Sequence, residues 1–459
     1  MADVGVDVVV LGGGPAGLTA AWRAARAGRS VRLLERAPAV GGMAASFEVA
    51  GVRVDTGSHR LHPATPAPVL GLLRELLGDD LQTRPRNGRL RVYDRWVGFP
   101  LRPTELARTL PPKAVLRIGR DAATRPFTRP DPASYASLLV SRLGPELYNA
   151  LYGPYAEKLW GLAGRDIDAE QARRRVGTGG VWGIARSLVR RDRSGQGRVF
   201  FYPRRGFGEI VDVLADAAAA AGATVETSAE VTAVEPGPDG VEVSTADGRT
   251  VRAGHVFSTV PLPVLGRLAG APVPPTGLAF RAMVLVYLVH AGGRWTGYDA
   301  HYLPGPQTRV TRLSEPANYR LSPDDPADRS VLCAEIPCAV GDPVWTSTPD
   351  DLAELVRDGL RASGLPGVRL DGIEVRRLPH VYPVYEVGYA DRLRPLDEWV
   401  DGLDRVTTFG RLGLFAHDNT HHAMAEALDA VAALRPDGTR DPGLWAAARA
   451  RFATHVVED

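Results

Sequence analysis

Residues 6–35 read VDVVVLGGGPAGLTAAWRAARAGRSVRLLE, and the three glycines that follow the valine run at once decide the fold. Val8 to Val10 with Leu11 have the β-branched character of a strand buried on both faces. Gly12, Gly14 and Gly17 fit G-x-G-x-x-G, and Leu18, Ala21, Trp22 and Ala25 recur at helical spacing behind them, so a helix is predicted to start inside the loop. A second strand, Val31 to Leu34, ends at Glu35. Gly12 and Gly14 let the backbone turn sharply and approach a pyrophosphate, together with Pro15 and Ala16 at the helix start; Gly17 lets helix and strand pack closely. The helix N-terminus faces the anion, and Glu35 is placed to accept hydrogen bonds from an adenosine ribose. Strand, loop, helix, second strand and terminal acid together predict a dinucleotide-binding α/β unit.

The bulk numbers set the frame. A chain of 459 residues exceeds what a single core supports, so two or three intertwined domains are expected. Hydrophobic content of 44% and charged content of 24% are those of an ordinary globular enzyme, and a net charge of +2 points to no particular partner. Lys113 and Lys158 are the only lysines, so the abundance of arginine reflects overall composition rather than phosphate binding. No basic leader precedes the first strand and no apolar run reaches about 18 residues, so a cytoplasmic address is expected, without a signal peptide or spanning helix. Cys333 and Cys338, in VLCAEIPCAV, read as two reduced cysteines on or beside a buried strand, and no metal-ligand set accompanies them.

Nucleotide-binding signals recur along the chain. Residues 1–75, 200–275 and 401–459 are expected to build one discontinuous cofactor domain, because α/β patterning resumes at FYPRRGFGEIVDVLADAAAAAGATVE and again at FGRLGLFAHDNTHHAMAEAL. Residues 76–199 read as mostly helical, and residues 276–400 alternate in strand fashion, predicting a helical segment and a mixed-sheet substrate domain. The arginine-rich stretch Arg173 to Arg198 lacks aromatic interleaving or a nucleic-acid motif, so nucleic acid is not expected as a partner. Contact of a basic helix with a membrane surface is the minor alternative there.

A dinucleotide fold can hold NAD or FAD. A second glycine pair, Gly41 and Gly42, follows Glu35 and Arg36 and lets the chain pass close to a long ligand whose phosphates Arg36 can meet. This extended pattern resembles the glutathione-reductase-type FAD-binding Rossmann fold, in the branch that holds amine oxidases, protoporphyrinogen oxidases and UDP-galactopyranose mutases. Further stretches carry the resemblance over most of the chain. DTGSHRLHP, residues 55–63, is similar to the flavin-facing loop of the mutases, with His59 and His62 at its two histidine positions. YGPYAEKLWG resembles a segment shared by mutases and oxidases, YPRRGFGEI an oxidase segment, and GRLGLFAHDNTHHAMAEAL a loop and helix found in both.

The resemblance implies FAD as cofactor. It puts Met43, Gly57, Ser58, His59, Gly410, Arg411, Asn419, His422 and Ala423 along the ligand, with the backbone at Val231 against adenine. Arg411 and the last helix would stabilise negative charge on a reduced flavin. Asp418 and Asn419 are the expected caps of that helix. Tyr155, Lys158, Trp160 and Tyr385 are expected on the substrate side, as are Arg309 and Arg312, which could grip an anion. Histidine near a flavin can move a proton, because both its forms are accessible near neutrality; His59, His62 and Arg411 are the expected catalytic residues. The leading expectation is an oxidoreductase removing hydride from a sugar nucleotide, glycoside or related polar metabolite. A mutase-like isomerase that uses reduced flavin as nucleophile is the alternative, and a flavin-binding protein without chemistry is a third.

Overall fold

The structure, a computed structural model, describes residues 5–457 apart from 102, 125–128, 130, 177–198 and 273–276. The opening stretch folds as its pattern demands: strand Val6–Leu11, helix Pro15–Arg26 and strand Val31–Leu34. The two strands lie within a seven-stranded sheet. Val6–Leu11 pairs in parallel with Val31–Leu34 on one side and Thr250–Ser258 on the other, and Thr224–Glu226 extends the first edge. The first half of Thr250–Ser258 pairs antiparallel with Gly240–Thr245, which pairs with Val231–Gly237; its second half pairs in parallel with Val406–Thr408. Strands from three distant stretches of chain therefore meet in one layer.

Helices cover both faces of this sheet, which explains why its central strand Val6–Leu11 is buried from Val8 onward. On one face, helices Pro15–Arg26, Glu209–Ala220 and Thr420–Ala432 share a core with Leu18, Leu33, Ile210 and Met424. Alanines 20, 21, 24 and 25 bring the first helix close to its neighbours. The other face packs on helices Leu262–Leu268 and Tyr389–Asp401 through Leu262, Leu265, Leu396 and Val400.

A second seven-stranded sheet has the order Leu370–Pro383, Phe280–Ala291, Arg329–Cys338, Arg312–Ser314, Ala300–Tyr302, Gly88–Val92, Arg95–Phe99. It is antiparallel except where Ala300–Tyr302 meets Gly88–Val92. Its long strand Phe280–Ala291, second from one edge, is buried on both faces. Cys333 and Cys338 are both free and buried on the neighbouring strand. Helices Tyr135–Leu143, Gly153–Trp160 and Ala169–Val176 pack together as a separate layer.

Two stretches differ from the patterning expected of them. Residues 76–199 contain strands Leu81–Pro85, Gly88–Val92 and Arg95–Phe99 besides their helices. GRLRV and RWVGF alternate around a tight turn in which Tyr93 and Asp94 adopt positive φ, a hairpin signal carried by two residues only. Residues 276–400 include helices Pro349–Ala362 and Tyr389–Asp401. The first begins at a capping box in which Thr348 Oγ1 accepts from Asp351 N–H and Asp351 accepts from Thr348 N–H. Most of the arginine-rich stretch, from residue 177 to 198, lies outside the described residues.

Candidate functional site

A cavity of about 750 Å³ runs between the two sheets, from the carboxyl ends of the parallel strands to the face of the second sheet. The glycine turn forms its floor. Gly12 has φ of +101°, and a Cβ there would stand 2.4 Å from Thr259 Oγ1. A Cβ on Gly17 would stand 1.9 Å from Gly12 O, so only glycine lets helix and turn pack this closely. Gly14, by contrast, faces open space, and as N-cap of the Pro15–Arg26 helix it brings no side-chain acceptor to the free amides. That helix has no acidic residue in its first turn, so the positive end of its dipole enters the cavity uncompensated.

Glu35 holds this turn in shape: Oε2 accepts from Gly13 N–H at 2.7 Å and Oε1 from Ala37 N–H at 2.8 Å. Each carboxylate oxygen keeps a lone pair for a further donor. The second glycine pair lies against the first, with Gly41 N–H donating to Gly13 O at 2.7 Å. Gly42 has φ of +53°, and its Cβ position is 3.6 Å from Gly14 Cα. Arg36, Val231 and Arg267 close this end of the cavity.

At the opposite end the loop after strand Val52–Asp55 is pinned residue by residue. Gly57 N–H donates to Tyr287 Oη at 3.2 Å and Ser58 N–H to Glu335 Oε1 at 2.9 Å, while Ser58 Oγ is bonded to Tyr319 Oη. His59 Nε2 meets Thr56 O at 2.9 Å and its ring stacks on Phe207 at 5.1 Å. A carbonyl can only accept, so Nε2 carries the hydrogen and Nδ1 is left as the ring's acceptor. Burial, with Arg312 adding to it, holds this imidazole below the ordinary histidine range, so it is neutral near pH 7.

Arg60 pairs with Asp299 at 3.1 Å, donates to Tyr302 Oη at 3.2 Å and lies over the Tyr319 ring at 4.9 Å. Arg312 grips Glu335 through Nε at 3.0 Å and Nη2 at 2.8 Å, and Nη2 also donates to Ser58 O at 3.2 Å. From the far wall come Arg411, whose guanidinium lies over Tyr382 at 4.8 Å, and the N-terminus of helix Thr420–Ala432 through Asn419, Thr420 and Ala423. Gly410 has φ of +82°, and its Cβ position is 3.4 Å from Ala16 Cβ, so the two turns meet here.

Of the residues anticipated from the sequence, Gly12, Gly14, Pro15, Ala16, Glu35, Arg36, Gly42, Met43, Gly57, Ser58, His59, Val231, Gly410, Arg411, Asn419, Ala423, Tyr155 and Arg312 line the cavity. Gly17 and Gly41 stand just outside the lining and shape the turns. The remaining expectations need correction. His62 is not on the cavity wall; its Nδ1 accepts from Ala64 N–H at 3.1 Å and shapes its own loop. His422 faces away from the cavity and accepts from Asn419 N–H at 3.2 Å. Asn419, rather than Asp418, is the N-cap.

Lys158 also lies off the cavity, where Nζ donates to Leu303 O at 2.5 Å and Val310 O at 3.2 Å; burial pushes its pKa down to about 7. Trp160 is core, edge-on to Tyr135. Tyr385 is buried against Tyr389 at 4.0 Å and donates to Phe415 O. Arg309 is exposed beside Asp351, Glu354 and Asp358 on the outer surface. The sequence reading missed Arg60, Arg86, Tyr302, Tyr382 and Glu335 on the wall. Glu335 had a signal: it is the one acid inside the apolar run VLCAEIPCAV, where a charge must have a partner.

Comparison with known proteins fits this geometry. Residues 15–374 match the family model for flavin containing amine oxidoreductases. The fold superposes on that of a reduced UDP-galactopyranose mutase with a TM-score of 0.81 and 20% identity, covering 99% of this chain and 100% of that one. An uncharacterized protein of Mycobacterium tuberculosis is 28% identical over 406 residues, 73% of this chain and 72% of its own length. A thiamine thiazole synthase of Desulfosudis oleivorans is 62% identical over 42 residues, so the chain matches only 16% of that protein. Among the described residues no helix is long and apolar enough to cross a membrane.

Proposed function

The chain belongs to the flavin-containing amine oxidoreductase family, and from that premise we propose that it is an FAD-dependent oxidoreductase acting on an anionic, hydroxyl-rich metabolite such as a sugar nucleotide. FAD is its cofactor, and the cavity suits it. The open space at Gly14, the uncapped helix amides and the glycine pair behind them form a cradle for the pyrophosphate. In this reading Glu35 and the backbone at Val231 hold the adenosine. Gly42, Met43, Gly57, Ser58, His59, Gly410, Arg411, Asn419 and Ala423 hold the rest. Bound there, FAD supplies a ring that accepts a hydride or, once reduced, a nucleophilic nitrogen.

The observation that carries the substrate class is charge. Away from the adenosine end the described wall carries Arg60, Arg86, Arg175, Arg312 and Arg411, with Asp299 paired to Arg60, Glu335 to Arg312, and Asp418 beside them, so arginines outnumber these acids. A cationic amine is repelled by such a wall; a phosphate is drawn in and gripped. Tyr155 and Tyr302 add hydroxyl donors and apolar ring faces beside these arginines. His59, neutral with Nδ1 as acceptor, takes the hydroxyl proton as the adjoining carbon loses its hydride. The same arginines suit a departing nucleotide phosphate, and on that ground a redox-neutral, mutase-type isomerisation is the second reading.

One experiment separates the two. Oxidised and dithionite-reduced enzyme are incubated anaerobically with candidate nucleotide sugars while flavin absorbance and product mass are followed. Oxidation predicts bleaching by substrate and a product two mass units lighter. A product of unchanged mass, formed by the reduced enzyme alone, rejects oxidation in favour of isomerisation.

A further inference from the structure

Asp418 is an acid on the cavity wall, immediately before the N-cap of a helix whose positive end faces the same cavity. A helix N-terminus carries roughly half a positive charge, which an uncompensated carboxylate beside it would cancel. His455 stands behind the wall. Its Nδ1 is 2.9 Å from Asp418 Oδ1 and 3.5 Å from Glu426 Oε1. Both acids are buried, with side chains 1% and 0% exposed, so their charge is screened only by what touches them. Glu426 Oε2 also accepts from Gly410 N–H at 2.7 Å, tying the cluster to the turn that carries Arg411.

Of the groups that act on Asp418, His455 is in the closest contact, with His422 and Arg174 adding their pull through space. His422 accepts from Asn419 N–H through Nδ1, which stands 3.6 Å from Asp418 Oδ1, farther than His455. His421 lies against His422 at 4.2 Å. Arg174, from helix Ala169–Val176, pulls on Asp418 through space while its Nη1 donates to Phe452 O. Asp418, His422 and His455 have metal-like composition, but the two imidazoles stack within 13° of parallel at 4.2 Å. Nitrogen lone pairs lie in their ring planes, so these two run side by side and do not converge on one ion.

We propose that His455 is a positioning residue for the cofactor's electrostatics: its imidazolium cancels Asp418, so the helix end stays positive toward the cavity and favours the reduced, anionic flavin. Burial opposes the charge on His455, yet its bonds to Asp418 and Glu426 push its pKa up to about 9, keeping it cationic at neutral pH. Burial and the Asp418 carboxylate push Glu426 up to about 8, so at pH 7 Asp418 is the acid of this cluster that His455 has to balance.

The test is the reduction midpoint of the FAD-loaded protein, by anaerobic dithionite titration against a reference dye at pH 7; it needs no substrate and is independent of the substrate reading. His455→Gln is expected to make the midpoint more negative by about 30 mV, which is a tenfold change in the oxidised-to-reduced ratio of a two-electron couple. His455→Lys restores it, and Asp418→Asn shifts it the opposite way without removing His455. The gap between wild type and His455→Gln closes as pH rises through about 9. Unchanged midpoints in His455→Gln and Asp418→Asn, or shifts of the same sign, overturn the proposal. Should His455→Gln fail to fold, the sign of the Asp418→Asn shift decides.

Discussion

Arg312 and Glu335 show how single side chains set the site. Their bidentate pair is nearly buried, at 18% and 5% exposure, and it also ties down Ser58 beside His59. Glu335→Gln leaves a buried guanidinium uncompensated, an event that costs roughly 3 kcal/mol. A lower urea midpoint of the FAD-loaded variant, by about that amount, is the expected result; an unchanged midpoint would show that the pair bears no structural load. Lys158 makes a different prediction. Its amine is held by two carbonyls but desolvated, so its folded pKa of about 7 lies below the usual lysine value. A base with a depressed folded pKa destabilises the fold while charged, and the penalty fades as pH rises above 7. Wild type should therefore gain stability relative to Lys158→Met between pH 7 and 10 in chemical denaturation, and a flat difference would contradict the assignment.

Caps and turns govern the elements. Thr348→Ala removes the cap of helix Pro349–Ala362 and should cost about 1 kcal/mol in urea denaturation, with no change in bound flavin. The run around this helix alternates like a strand, although T-P-D-D spells its cap. The reverse holds at Gly88–Val92 and Arg95–Phe99, two five-residue strands hidden in a helix-rich stretch. Local pattern was sufficient where every feature agreed, as in VDVVVLGGGPAG. It was insufficient for orientation. Lys158 and Trp160 sit in a motif-bearing stretch yet turn away from the cavity, and Tyr385 is buried against Tyr389, whereas Arg60, between two histidines, points into the cavity. Which way a side chain projects from a loop or a short helix depends on packing partners distant in sequence, such as Tyr287 for Gly57 and Asp299 for Arg60.

At the scale of the molecule, the first sheet presents strand ends and two helix N-termini to one cavity, and the second sheet closes it with Tyr302, Arg312, Glu335 and Tyr382. On the proposed reading, one layer holds the cofactor and the other helps to select what reaches it. If the arginine-lined wall selects anions, substrate affinity should weaken as ionic strength rises, because each phosphate contact is partly Coulombic. A KM that does not move between low and high salt would tell against an anionic substrate.

The cradle at the first glycine turn is tested most directly by equilibrium titration of FAD into the apoprotein, followed by absorbance and by release of the cofactor on denaturation. Wild type should bind one FAD per chain and release it intact, and Gly14→Trp, which fills the open space above the helix amides, should bind none. A wild-type protein that stays colourless, or a Gly14→Trp variant that binds as wild type does, would contradict the account.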